Sequence, residues 1–396
     1  MNRKILITYA TAGVGHKKAS LAIKAALENK KRDFDIKFIN VLDYTNSFFK
    51  KSYPSVYLLL VNRLILLWGF LYYLSDFKIV HNLVYPLRQL SGVLNSMRFV
   101  KFLLEFKPDI VVATHFLTAD ICTYVKQKYK IKMKVINVVT DYRIHSFWIA
   151  DGVDTYIVGH EETRMDLLKK WGVPSHKVKV TGIPVEPKFS IKHDKSFFRR
   201  KLNLPANSFV VLLIGGGYGI GPILKILKIL SKLPVRQTQG NGKQAKCVEP
   251  STLRQNSGLS AITVCGHNKS LYNRVNTFTK KIDLAIRNYA YVDNIDELMA
   301  ASDVYIGKAG GISTTEALNQ GLPLIFVRPI PGQESRNANL MTKGGAGIRL
   351  KKISDIVKIV EELKYSEERV KALKENINNI KKINAANDIA DFVVTQ

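Results

Sequence analysis

Three observations predict two doubly wound α/β domains. Short apolar runs alternate with helix-like or loop stretches, the alternation occurs in two series of similar length, and glycine-rich turns follow the strand-like runs. The first series opens with Lys4–Ala10, the helical periodicity of Lys17–Asn29 and a second strand pattern at Asp35–Leu42. Arg3 and Lys4 give the start the look of a signal peptide, but polar Thr8 and Thr11 and the helix that follows fit a buried first strand better. After a long apolar stretch the strand-like runs resume at Asp109–Thr114, Met133–Val139 and Thr155–Val158.

Gly182-Ile-Pro-Val-Glu-Pro187 carries two prolines and reads as the linker between domains. The second series then runs through Phe209–Ile214, Ala261–Cys265, Ala290–Val292, Val304–Gly307 and Leu322–Val327. Within it, Pro234 to Ser260 is rich in Gln, Asn, Ser, Gly and Lys, lacks periodicity, and reads as a disordered surface insertion. Ile353 to Gln396 reads as helical and polar, with no motif. These features place one domain at 1–184, a second at 188–375 containing the 234–260 insertion, and a C-terminal helical segment at 376–396.

The composition (396 residues, 46% hydrophobic, 23% charged) excludes a disordered, collagenous or disulfide-scaffold protein. Cys122, Cys247 and Cys265 are odd in number, far apart and in no C-x-x-C spacing, which argues for a reducing compartment and against a structural zinc site. The net charge is +28, of which +13 lies before Pro187 and +15 after it. Both halves therefore favour a polyanion: nucleic acid, an anionic membrane face or a phosphorylated small molecule. No helix-turn-helix, zinc-finger or RNP pattern supports the nucleic-acid reading.

From Val56 to Leu74 there is one charge, Arg63, in 19 residues. The length suits a membrane span, yet a central arginine costs roughly 2.5–3.5 kcal/mol on insertion scales. The uninterrupted run, Leu64 to Leu74, is only 11 residues. Between Tyr44 and Lys107 there are eight basic and two acidic residues, and Trp68, Phe70, Tyr72 and Tyr73 add aromatic bulk. A helix lying on anionic lipid has this composition. So does a core helix, and the segment alone does not separate the two.

Three glycine-rich turns carry the chemistry. Gly13-Val-Gly15-His16 joins the first strand to the first helix, where backbone amides and the helix N-terminus favour negative charge and His16 can take a proton. Gly215-Gly-Gly217-Tyr-Gly-Ile-Gly221 is a phosphate-cradling loop without the dinucleotide register, since Ile220 stands where the third glycine belongs. Nor is it a Walker A loop, because Pro222 stands where lysine belongs. The third segment runs from Lys308-Ala-Gly310-Gly311-Ile312-Ser313-Thr-Thr-Glu316 through Gly321-Leu-Pro-Leu to Pro329-Ile-Pro-Gly-Gln333-Glu334-Ser-Arg-Asn337. Its paired glycines and hydroxyls open a helix ready for phosphate, with Glu316 placed for ribose hydroxyls or for the helix dipole.

Together with Val139-Thr-Asp141-Tyr142, His145, Trp148 and Thr181-Gly-Ile-Pro184, these motifs make the chain resemble the monogalactosyldiacylglycerol synthase and processive diacylglycerol glucosyltransferase family, which is similar to glycosyltransferase family 28. More distantly the chain is similar to the transferase that adds N-acetylglucosamine in peptidoglycan lipid synthesis.

The resemblance implies a GT-B fold: two Rossmann-like domains facing a central cleft, the second holding a UDP-sugar. It implies that Glu316 binds the ribose and that backbone at Tyr291-Val292 reads uracil. Gly217, Gly310, Gly311, Ile312 and Ser313 would hold the diphosphate, and Gln333, Glu334 and Asn337 the sugar. His16, in the turn formed with Gly13 and Gly15, would be the base for the acceptor hydroxyl, with Asp141 as rival base or as the group orienting His16. The 44–107 segment would dock on anionic lipid and receive diacylglycerol.

The expected activity is inverting transfer of a hexose from UDP-galactose or UDP-glucose to 1,2-diacylglycerol. It needs no cofactor or metal, because no D-x-D motif or His/carboxylate cluster calls for one. The expected place is the cytoplasmic face of the cell membrane, as a peripheral protein without nucleic acid. The alternatives are a different lipid- or polyprenyl-linked acceptor, or a basic nucleic-acid-binding protein.

Overall fold

The computed structural model describes residues 3–11, 13–30, 33–233 and 258–396. The first domain begins β1 (Arg3–Tyr9), α1 (Val14–Glu28), β2 (Phe34–Asn40). Four consecutive helices follow: α2 (Ser47–Arg63), α3 (Ile65–Ser75), α4 (Lys78–Asn95) and α5 (Met97–Phe106). Alternation then resumes with β3 (Ile110–Ala113), α6 (Phe116–Lys128), β4 (Lys134–Val138), β5 (Thr155–Val158), α7 (Glu161–Lys169) and β6 (Val178–Val180).

The second domain comprises α8 (Lys195–Lys201), β7 (Phe209–Ile214), α9 (Ile223–Leu230), β8 (Leu259–Val264), α10 (Lys269–Thr279), β9 (Ala285–Tyr289) and α11 (Ile295–Ala300). It continues with β10 (Val304–Gly307), α12 (Gly311–Asn319), β11 (Leu324–Phe326), α13 (Gln333–Lys343) and β12 (Gly347–Arg349). Three helices end the chain: α14 (Ile356–Tyr365), α15 (Glu367–Ile380) and α16 (Ala385–Val394).

Each domain holds a six-stranded sheet, ordered β2-β1-β3-β4-β5-β6 and β12-β11-β10-β7-β8-β9. Every strand pair is parallel. The central strands bury both faces under helices, which is why their sequences read as continuous apolar runs. In each sheet the order reverses beside its first strand, between β1 and β3 and between β7 and β10. A doubly wound sheet binds ligands in the crevice at that switch point, beyond the carboxyl ends of the strands. The turns Gly13–His16 and Gly215–Gly221 leave β1 and β7 there, and Thr114 and Lys308 follow β3 and β10.

Three strand expectations differ from the structure. The two outer strands β6 and β12 are three residues each, too short to show a periodicity. The strand expected at Ala290–Val292 lies earlier, at Ala285–Tyr289, where Arg287 and Asn288 interrupt the apolar pattern. That strand is only half-buried, and its polar side chains find neighbours: Arg287 Nε donates to the Leu202 carbonyl at 2.7 Å and Thr263 Oγ1 donates to Asn288 Oδ1 at 2.6 Å. Of the expected insertion 234–260, residues 234–257 lie outside the described residues, while Leu259 and Ser260 belong to β8.

The last helix crosses back to the first domain. Ala386, Ile389, Ala390 and Val393 of α16 pack with Ala22, Ile23, Ala26 and Leu27 of α1 over β1, β3 and β4. The segment that read as polar thus closes the core of the other half of the chain.

The helices α2–α4 hold the opposite character. Among the described residues no single helix is long and apolar enough to cross a membrane; α2 and α3 pass only as a pair, bent by 114° at Leu64. Ile79, Leu83, Leu87, Leu90 and Leu94 form one exposed stripe along α4, and Phe48, Leu66 and Phe70 are exposed on α2 and α3.

Because Ile389 is fully buried against α1, Ile389→Ala is expected to cost about 2–5 kcal/mol of folding stability. Denaturant titration checks this; a change within error would mean that α16 is a dispensable appendage.

Candidate active site

The two switch points face one another across a cavity of ≈ 750 Å³. Its lining includes Gly13, Gly15, His16, Asp141, Gly217, Val292, Gly310, Gly311, Ile312, Ser313, Glu316, Gln333 and Glu334. Of the expected site residues, only Asn337 is not part of that lining. Its amide is fully buried, accepting from the Tyr142 backbone N–H at 2.9 Å and donating to the Ala309 carbonyl at 3.0 Å and to Asp141 at 3.3 Å. Asn337 therefore ties the two domains together.

His16 opens α1. Its Nδ1 lies 2.7 Å from the Thr114 carbonyl, which can only accept, so Nδ1 carries the proton and Nε2 the lone pair. Thr140 Oγ1 is 3.2 Å from the same Nδ1. Burial lowers the His16 pKa to about 4, so the ring is neutral and able to accept a proton at neutral pH. The expected orienting role of Asp141 passes to Thr114 and Thr140, because Asp141 bonds to Asn337. Burial lifts the Asp141 carboxyl to about 6.

Glu316 sits two turns into α12, buried, with its carboxylate 2.9 Å from Lys18 Nζ of α1. Burial pushes its pKa up against the pull of that lysine. The first intrahelical bond of α12 runs from the Thr314 N–H to the Gly310 carbonyl, so the amides of Gly311, Ile312 and Ser313 open the helix towards the cavity. Lys308 lies 3.3 Å from Glu334, whose other oxygen accepts from the Ile330 N–H at 2.8 Å. Gln333 Nε2 donates to the Tyr57 hydroxyl at 3.1 Å, while Gln333 Oε1 is buried without a hydrogen-bond partner among the described residues. Tyr291 stacks on His267, with ring centroids 4.6 Å apart.

The first-domain wall is apolar and aromatic: Phe49, Tyr53, Val56 and Leu60 of α2, Trp68 and Tyr72 of α3, and Phe116, Phe147 and Trp148. Arg88 pins α4 to this wall through two bonds to buried Asp120, at 2.9 and 3.1 Å. No group of three or more His, Cys, Asp or Glu able to hold a metal occurs among the described residues. Lys18 and Arg88 are charged groups of the lining that the motifs did not single out.

Lys18→Met should cost about 1–3 kcal/mol, because it strands the buried Glu316 carboxylate. Adding Glu316→Gln should recover most of that loss, since a neutral amide needs no cation. Denaturant titration of the three variants decides; additive losses would show that the pair does not act as a unit.

The family model for monogalactosyldiacylglycerol (MGDG) synthase matches residues 16–185, and that for the glycosyltransferase family 28 C-terminal domain matches residues 238–393. The second match begins inside the stretch that read as an insertion. The processive diacylglycerol beta-glucosyltransferase of Bacillus pumilus SAFR-032 is 28% identical over 396 residues, covering 100% of this chain and 95% of its own. That of Bacillus subtilis 168 is 30% identical over 292 residues, 74% of this chain and 70% of its own. Among solved structures, Acinetobacter baumannii MurG superposes with a TM-score of 0.59 at 12% identity over 100% of both chains. The S. aureus MnaA–UDP co-structure superposes at 0.62 with 14% identity, over 99% of this chain and 96% of that one. These two likenesses carry the GT-B architecture. Given two family domains in tandem and a relative 30% identical over most of both chains, the protein belongs to the monogalactosyldiacylglycerol synthase and processive diacylglycerol glucosyltransferase family.

Proposed function

We propose that the protein transfers a hexose from a UDP-sugar to 1,2-diacylglycerol with inversion and without a metal ion. The observation that carries this reading is the cavity itself. One side has a neutral, half-buried histidine beside an apolar aromatic wall; the other has a helix N-terminus and two lysines, each paired with a carboxylate. The first side suits a lipid alcohol and the second a nucleotide diphosphate. The relatives described above are named for glucosyl transfer to diacylglycerol, so glucose is the sugar this reading takes first, with galactose as its rival.

In the reaction, His16 Nε2 takes the proton of the acceptor hydroxyl as its oxygen attacks C1 of the sugar. The bond from C1 to the diphosphate oxygen breaks on the opposite face, and UDP leaves with the bonding electrons. One displacement on an α-linked donor gives a β-linked glycolipid. The open amides of α12, with Lys18 and Lys308, compensate the charge that develops on the departing diphosphate. Glu316 takes the ribose hydroxyls, with Lys18 turning from the carboxylate to phosphate. Gln333 Oε1, which has no partner among the described residues, accepts from a sugar hydroxyl. The exposed stripe of α4 and the outer faces of α2 and α3 rest on anionic lipid at the cytoplasmic face of the membrane, as a peripheral contact.

His16→Ala is expected to leave UDP binding near normal and remove most turnover. Lost UDP affinity with preserved turnover would end the base assignment. Glu316→Ala is expected to weaken UDP binding, and an unchanged dissociation constant by calorimetry would refute the ribose role. The base must be neutral to act, so kcat/KM should persist below pH 6 and fall as His16 protonates near pH 4. An acid limb near pH 6 would transfer the role to Asp141.

A further inference from the structure

The loop that carries Gln333 and Glu334 into the cavity is held from outside its own domain. Trp68 Nε1 of α3 donates to the Pro331 carbonyl at 3.0 Å, and the Tyr57 hydroxyl of α2 accepts from Gln333 at 3.1 Å. Gly332 lies so close to Tyr72 that a Cβ there would fall 2.7 Å from the ring. A Cβ on Gly69 would meet Pro331 at 3.1 Å.

The fixed point of this contact is Asp76, which follows α3 and is 4% exposed. Its carboxylate receives Arg336 Nη2 of α13 at 2.6 Å, Lys170 Nζ at 2.5 Å and the Ser146 N–H at 2.9 Å. Lys170 and Ser146 belong to the first domain and Arg336 to the second, so one buried carboxylate joins the helix pair to both. The Arg336 guanidinium also donates to the Ile144 carbonyl at 2.9 Å and lies over the rings of Tyr72 and Tyr73, at 5.2 and 5.5 Å. The same short helix α3 turns Trp68 and Tyr72 towards the second domain and leaves Leu66 and Phe70 exposed, at 85% and 63%.

We propose that Asp76 is a positioning residue of the donor-sugar side of the cavity, acting through Arg336, and that it couples lipid docking of α2–α3 to donor binding. The inference rests on the functional reading above, which supplies the lipid surface and the sugar. A contact shared by two binding events makes them reciprocal: whatever fixes α3 in place fixes the 330–332 loop and the start of α13, and the converse holds by linkage. The sugar, not the nucleotide, is the part of the donor that senses it, because Gln333 and Glu334 follow directly on Pro331 and Gly332 as the first residues of α13. Arg336 suits the joint because its planar fork serves a carboxylate and a carbonyl while stacking on aromatic rings, which lysine cannot reproduce.

The test is calorimetry of UDP-glucose and of UDP, with and without phosphatidylglycerol vesicles that lack diacylglycerol, so that no lipid acceptor is present. For the wild-type protein, vesicles should tighten UDP-glucose binding roughly tenfold, and saturating UDP-glucose should tighten vesicle binding by the same factor. UDP alone should gain much less. Asp76→Asn and Arg336→Gln should each lose the vesicle-induced gain while keeping their UDP affinity. The double variant should be no worse than the worse single one, and Lys170→Met should retain the gain. If Asp76→Asn does not fold by its thermal transition, Arg336→Lys, which keeps the charge and loses the fork, should retain only part of the gain.

Equal UDP-glucose affinity with and without vesicles in the wild-type protein would overturn the coupling, and a full gain in Asp76→Asn would overturn the residue assignment. Vesicles that contain diacylglycerol separate the two levels. Glycolipid formed without coupling sinks this inference alone, whereas donor binding without glycolipid sinks the choice of acceptor. No donor binding at all sinks both.

Discussion

The cavity exists because two backbones meet with no side chain between them. A Cβ on Gly311 would lie 1.9 Å from the Thr140 carbonyl oxygen; beside this contact, a Cβ on Gly217 would lie 2.5 Å from the Val14 side chain. The start of α12 therefore approaches the end of β4 as closely as atoms allow, and the turn after β7 seats on the turn after β1. The features of the site that cross the domains follow from that approach: Lys18 on Glu316, and a helix N-terminus facing a histidine from the other domain. These glycines serve the joint as well as any phosphate, so the motif reading accounted for only part of their use.

Charge is managed across the same joint. Three buried or nearly buried carboxylates, Glu316, Glu334 and Asp76, each hold a cation, and in two of the three pairs the cation comes from the other domain. Lys18 and Lys308 are thus held at the cavity before any anion arrives. The large positive charge of the chain acts elsewhere: most of it is solvent-facing, where it favours anionic surfaces without specifying one.

The parallel core strands were legible because burial on both faces leaves continuous apolar runs, and the glycine turns were legible because strand ends at a switch point are where ligands bind. The edge strands β6 and β12 were not, since three residues carry no period. The starts of α6 and α7 were obscured for a chemical reason: their N-caps are His115 and His160, whose Nδ1 atoms accept the Leu117 and Glu162 N–H groups at 3.1 Å in each case. Histidine is outside the usual Ser, Thr, Asp and Asn signal. The cavity's nucleotide side was readable as local motifs. Its apolar wall, the Asn337 joint and the Asp76 anchor were not, because each depends on residues far apart in the sequence meeting in space. Asp76 in particular stands among apolar neighbours with nothing nearby in sequence to mark its partners.

Purified protein should be incubated with anionic vesicles containing diacylglycerol and, in parallel, UDP-glucose, UDP-galactose and UDP-N-acetylglucosamine, and the lipid product's anomeric linkage read by NMR. A β-linked glycosyl diacylglycerol from UDP-glucose is the predicted result. An α-linked product would contradict the single displacement at His16, and nucleotide binding without glycolipid from any donor would contradict the acceptor.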